Sequence, residues 1–236
     1  MVRAMLIAVL ITIGLQGNAQ TESRITRYNY FFLEAIRQQE MGNLAAAFDL
    51  LNHARDINPK APEVYYEIAG YYVAMQNSKA ARYNFEQAAK LAPDNSTYLE
   101  KLGQFYISQN NYEDALTTYE QLYTSNKTRE DVLQILYQLY GAQNNYKKMI
   151  EMIERMELLS GASEQLSLTK MQIYEQMGDK RKAQAELLRL VQKNPLELNY
   201  RVMLGNWLLQ NNKKKEAYNE YQTVLKEDPN NAAAQL

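Results

Sequence analysis

Apolar residues along this chain recur at helical spacing, in pairs of short runs separated by turn residues. In residues 96–129, Leu99, Leu102, Gly103 and Tyr106 are three, one and three positions apart, which puts them on one face of a helix. Asn110 and Asn111 break the run as turn residues, and Ala115, Tyr119 and Leu122 then share one face of a second helix. Two such faces in succession close on each other, so the stretch predicts a helical hairpin. The pattern repeats at a fixed interval: Pro59, Pro93, Pro195 and Pro229 are separated by 34 residues, three times 34, and 34 again. On the same frame Gly103 and Gly205 are three periods apart and Gly42 and Gly178 four, while Ala47, Ala81, Ala115, Ala183 and Ala217 share one position. The chain therefore divides without insertion into six repeats, at 28–61, 62–95, 96–129, 130–163, 164–197 and 198–231, after a leader at 1–19 and a short segment at 20–27. Paired helices at this period predict an all-α solenoid.

Each recurring residue type has a packing role. Small residues such as Ala69, Ala81 and Gly103 let the two helices of a hairpin approach closely, and the later aromatic fills the space between successive hairpins. Tyr72, Tyr106, Tyr140 and Tyr174 share the packing face at repeat position 11 and read as core. The prolines end the second helix and set the turn into the next repeat. A lone hairpin does not offset an ordering cost of roughly 1.5 kcal/mol per residue, so stability must come from stacked neighbours. The fourth repeat departs most from the pattern, with Tyr137, Met149, Met156 and Gly161 at consensus positions. Residues 160–163 then read either as a hinge or as a junction repacked around adaptable methionines.

These residues resemble the tetratricopeptide repeat family. Its pattern of a bulky residue at position 4, Leu at 7, a small residue at 8, Tyr at 11, Gly or Asn near 15, Ala at 20, an aromatic at 24, Ala at 27 and Pro at 32 is met in the second repeat. There it reads Tyr65, Ile68, Ala69, Tyr72, Gln76, Ala81, Phe85, Ala88 and Pro93. In the sixth repeat Leu204, Gly205, Ala217, Tyr221 and Pro229 carry it, with Arg201 replacing the bulky residue. The resemblance implies a right-handed α-solenoid whose job is to hold other proteins.

Composition narrows the function. Lys and Arg number 26 against 27 Asp and Glu, so the basic excess a general nucleic-acid binder needs is missing. There is no cysteine, which excludes disulfides, thiol chemistry and cysteine zinc sites. Arg3, the mostly apolar run at 4–15 and the small residues Gly17 and Ala19 read as a signal peptide cleaved after Ala19. The expected location is therefore beyond a bacterial inner membrane, in a Gram-negative periplasm. The single histidine, His53, lies off the packing face. No phosphate-binding glycine loop, His-Glu-x-x-His helix or calcium loop is present, so no catalytic residue, cofactor or metal is expected. Glu151, Glu154 and Glu157 step along one helix and read as a solvated face.

Positions 2, 5, 9 and 12 of each first helix lie nearly opposite the packing face, at about 100 degrees per residue. The resemblance implies that they line a concave groove. The groove residues include Asn29, Phe32, Ile36, Tyr66, Val73, Glu100, Gln104, Ile107, Gln134, Gln138, Gln172 and Asn206. None of these positions holds a cation in any repeat, unlike family members that grip the carboxylate tails of chaperones. Amides and apolar groups suit an extended peptide or protein segment, with a glycan as the other ligand class. A second pattern is basic: Lys147 and Lys148, then Lys180, Arg181 and Lys182, then Lys213, Lys214 and Lys215 recur at one inter-helix turn. This ridge is either a solvated rim or a contact for an anionic envelope surface or acidic partner. Ala232 opens a seventh repeat and the sequence stops at Leu236. That leaves a second reading, a self-associating or spacer array serving a domain beyond residue 236.

Overall fold

The computed structural model describes the backbone of residues 2–235 and the side chains of residues 21–235. The signal-peptide reading of 1–19 lies outside the described side chains. Twelve helices and no strand are present among the described residues. They alternate as expected of helix-turn-helix repeats: α1 (Val2–Glu40), α2 (Leu44–Ile57), α3 (Pro62–Ala74), α4 (Ser78–Leu91), α5 (Ser96–Ser108) and α6 (Tyr112–Ser125), followed by α7 (Glu130–Ala142), α8 (Tyr146–Ser160), α9 (Glu164–Gln176), α10 (Lys180–Lys193), α11 (Leu198–Gln210) and α12 (Lys214–Glu227). The helix carrying the start of repeat 1 runs unbroken through 20–27. Among the described residues no helix is long and apolar enough to cross a membrane.

Contacts divide the chain into two compact units, one ending at Ser125 and one beginning at Asn126. In the first, each hairpin packs on the next through its second helix, α2 on α3 and α4 on α5. Tyr28, Ala35, Leu51, Ala54, Val64 and Ile68 form one buried cluster there. In the second unit α8 packs on α9 and α10 on α11. Ile153, Tyr174, Leu187, Leu204, Trp207 and Tyr221 are among its buried core. Ala234, in the turn after α12, is buried in the same cluster.

In the third and sixth hairpins, the glycine at position 8 faces the tyrosine ring at position 24. A methyl group built on Gly103 would lie 2.6 Å from the Tyr119 ring, and one on Gly205 would lie 2.6 Å from the Tyr221 ring. The absence of a side chain is therefore what admits these tyrosines. Tyr106, Tyr140 and Tyr174 are buried as expected of core residues, and Tyr72 is half-buried.

The turn between the two helices of a repeat has one geometry throughout. Gly42, Gln76, Asn110, Asn144, Gly178 and Asn212 all hold repeat position 15, and all have positive φ, between 54° and 80°. In the second repeat Gln76 N–H donates to the Val73 carbonyl at 3.0 Å and Asn77 N–H to the Tyr72 carbonyl at 2.9 Å. The same pair of bonds closes each of the other five turns. Together they satisfy carbonyls that the end of the first helix would otherwise leave unpaired.

Candidate binding surface

In the second to sixth hairpins the first helix buries most of positions 4, 7, 8 and 11, whereas in the first hairpin only Ala35 of these is buried. Positions 2, 5, 9 and 12 are turned outward except at Val202, position 5 of the sixth repeat, which is buried. None of the twelve groove residues is buried. In the first unit Asn29, Val73 and Gln104 are exposed, and Phe32, Ile36, Tyr66, Glu100 and Ile107 are half-buried. Aromatic rings knit part of this face together. Phe32 stacks on Tyr28 with ring centroids 5.9 Å apart, and Tyr66 lies 5.1 Å from Tyr98 and 6.3 Å from Phe85. The Tyr28 hydroxyl donates to Glu63 at 2.5 Å. Burial first, and the adjacent Glu63 second, raise the Tyr28 pKa well above the phenol range, so it acts as a fixed donor. In the second unit Gln134, Gln138, Gln172 and Asn206 are exposed, and Asn206 accepts a hydrogen bond from the Tyr221 hydroxyl at 2.7 Å. Tyr98 and Glu67, at positions 3 and 6, belong to the same side of the first unit but fall outside the four positions chosen by helical arithmetic.

The basic ridge is partly engaged within the protein. Its residues sit at or beside the first turn of α8, α10 and α12, where a cation opposes the helix dipole. Lys148 pairs with Glu151 at 2.9 Å and lies 6.0 Å from the Tyr140 ring centre. Lys182 lies 5.2 Å from the Tyr174 ring centre and 3.9 Å from Asp179, the residue that caps α10. Lys213 donates to Gln184 at 2.6 Å. Local carboxylates, an amide and tyrosine faces thus offset the dipole for these three. Lys147, Lys180, Arg181, Lys214 and Lys215 are exposed.

One expectation is corrected. Glu157 does not belong to a solvated face: its side chain is 12% exposed and it lies in a buried ionic network. Lys170 occupies position 7 of repeat 5, where the pattern places leucine, with its side chain 5% exposed. It pairs with Glu157 at 2.8 Å and with Glu186 at 2.9 Å. Arg189 closes the ring, 2.5 Å from Glu157 and 2.9 Å from Glu186, and donates to the Ser167 hydroxyl at 2.7 Å. Burial pushes the Glu157 carboxyl up, but its bonds to Arg189 and Lys170 outweigh that and hold it below the usual range. The visible signal was a lysine at an apolar consensus position with acids one helix before and after it. A smaller version occurs in repeat 6, where Arg201 at position 4 pairs with Glu220 at 3.0 Å. This network joins α8 to α9 and α10 at the junction read as either hinge or repacked. Ser160 adds a bond to Glu130 at 2.5 Å.

Among the described residues no group of three or more His, Cys, Asp or Glu side chains is arranged to hold a metal ion. The sequence matches the tetratricopeptide repeat model over residues 66–129 and 168–236, more than half of the chain. With this match and its helix-turn-helix repeats, the chain belongs to the tetratricopeptide repeat family. Solved structures agree on the fold. A tetratricopeptide repeat protein from Parabacteroides merdae ATCC 43184 superposes with a TM-score of 0.53 at 16% identity, covering 89% of this chain and 83% of that one. MamA AMB-1 gives a TM-score of 0.52 at 20% identity, over 68% and 88%. A chain in the structure of Naa15/Naa10 bound to HypK-THB gives 0.61 at 19% identity, over 94% of this chain and 35% of that one. No curated protein sequence matches. Tetratricopeptide repeats generally mediate protein–protein interaction and are generally non-catalytic scaffolds.

Proposed function

We propose that this protein is a non-catalytic scaffold of the bacterial envelope that holds an extended protein segment along the exposed faces of its first helices. The observation that carries the reading is the chemistry of those faces. Gln104, Gln134, Gln138 and Gln172 present exposed carboxamides. Each carboxamide both donates and accepts, as the backbone of an extended segment does. In the first unit, half-buried Phe32, Ile36, Tyr66 and Ile107 supply apolar contact for alternate side chains. The absence of a cation from these positions argues against a carboxylate-terminated partner. Export rests on the apolar run at 4–15 and the small residues before Gln20.

The reading is tested by capture from an envelope fraction, comparing the wild type with a variant carrying Gln104→Ala, Gln134→Ala, Gln138→Ala and Gln172→Ala. Loss of one defined protein from the variant, and its retention when Lys180, Arg181, Lys214 and Lys215 are changed to Ala, is the expected result. The opposite pattern would shift binding to the basic ridge. The amino-terminal sequence of the protein recovered from that fraction should begin at Gln20.

A further inference from the structure

A cavity of about 210 Å3 opens in the first unit, lined by Gln39, Leu44, Glu67, Gly70, Tyr71 and Ala74. Gly70 and Gln39 hold repeat positions 9 and 12, so the cavity belongs to the partner face. Its walls are largely apolar. A methyl group built on Gly70 would meet no heavy atom within 4 Å, so the missing side chain leaves the space open. Leu44 at the wall is 56% exposed, and Val73 and Met75, flanking Ala74 in sequence, are exposed as well.

One charged group faces this apolar setting. Glu67 is half-buried, and burial raises its pKa against the opposing effect of its hydrogen bond to Gln39. Gln39 is in turn held by the Tyr71 hydroxyl, which donates to its Oε1 at 3.1 Å. Among the described residues no lysine or arginine pairs with Glu67. A carboxylate taken partly out of water without a counter-charge carries a desolvation cost that a cation from outside would relieve. No cation at the surrounding groove positions would repel one.

We propose that this cavity receives the side chain of a lysine borne by an extended partner segment, with its methylene chain against Leu44, Tyr71 and Ala74 and its ammonium on the Glu67 carboxylate. The proposal rests on the protein-binding reading above and gives it a sequence preference. Gln39 already occupies part of the carboxylate, which suits the compact ammonium of lysine better than the two-pronged guanidinium of arginine. An apolar side chain would fill the space but leave Glu67 uncompensated.

The test is a titration of the 15N-labelled full chain with the peptide Ac-Ala-Ala-Lys-Ala-Ala-NH2 and its norleucine and arginine counterparts, followed by amide chemical shifts. The lysine peptide should shift Glu67, Gly70, Tyr71 and Ala74 in a saturable way. It should bind about tenfold more tightly than the norleucine peptide, an electrostatic difference that Glu67→Gln removes while the remaining spectrum is unchanged. Gly70→Leu, which fills the space, should abolish the response. Equal binding of lysine and norleucine peptides would overturn the lysine preference and leave the groove reading standing. No shift of these amides by the lysine peptide, or binding of 1,5-diaminopentane as tight as that of the peptide, would also overturn it. Shifts at Gln104 or Ile107 in the same titration report separately on the groove.

Discussion

At the scale of single residues, two glycines on first helices play opposite roles. Gly103 faces the Tyr119 ring so closely that a methyl group would stand 2.6 Å from it, whereas Gly70 faces open space. Gly103→Ala should therefore destabilise the protein by about 1 to 3 kcal/mol through overpacking. Gly70→Ala should stabilise it by about 0.5 to 1 kcal/mol through helix propensity. Denaturant titration separates the two, and destabilisation of similar size by both would contradict the assignment. Lys170 poses a sharper test, because the repeat pattern itself places leucine there. Lys170→Leu should cost about 3 to 5 kcal/mol, since it leaves Glu157 and Glu186 buried against Arg189 alone. A gain in stability on reverting to the consensus would refute the network. The network also has a pH signature. Glu157 is held below the usual carboxylate range, so its stabilising effect is full above that range and is lost as pH falls through its folded pKa. The thermal midpoint should drop more steeply below about pH 4.3 in the wild type than in a variant with apolar residues at 157, 170, 186 and 189. The apolar core was legible from spacing alone, because position 8 and position 24 recur. The network was not, since Glu157 on a helix of spaced acids looks solvated until α9 and α10 supply its cations.

At the scale of the element, the six turns share one conformation, and sequence supports it unevenly. Gly or Asn stands at position 15 in five repeats, where left-handed backbone is easily adopted, but Gln76 stands there in the second with φ 56°. Its conformation is imposed by the two bonds that close the turn. Gln76→Gly should accordingly raise stability by about 0.5 to 1 kcal/mol, measured by urea unfolding. No gain, or a loss, would mean that the glutamine side chain itself supports the turn. Asn77, Asn95, Asn145, Ser163 and Asp179 each accept a backbone N–H with the side chain at the head of a helix. The basic first turns of α8 and α10 were readable as a pattern, while their offsets were not. Lys148 and Lys182 reach Tyr140 and Tyr174 across their own hairpins, and that pairing depends on how the two helices pack.

For the molecule as a whole, period and consensus residues carried the architecture, because each repeat must bury the same face on its neighbour. Division into compact units at Ser125 and Asn126 was not legible, since the 34-residue frame passes through it without interruption. Nor was the cavity around Glu67, which needs a glycine at position 9 of one repeat beside a glutamine at position 12 of the one before. Site-specific photo-crosslinking in an envelope fraction reads what these faces hold. A photoreactive residue is placed at Gln104 in the first unit or Gln138 in the second, with Thr117, exposed on the second helix α6, as the control position. Binding along these faces predicts that Gln104 and Gln138 label the same defined protein and that Thr117 does not. Equal labelling from Thr117, or none from the two glutamine positions, would contradict it.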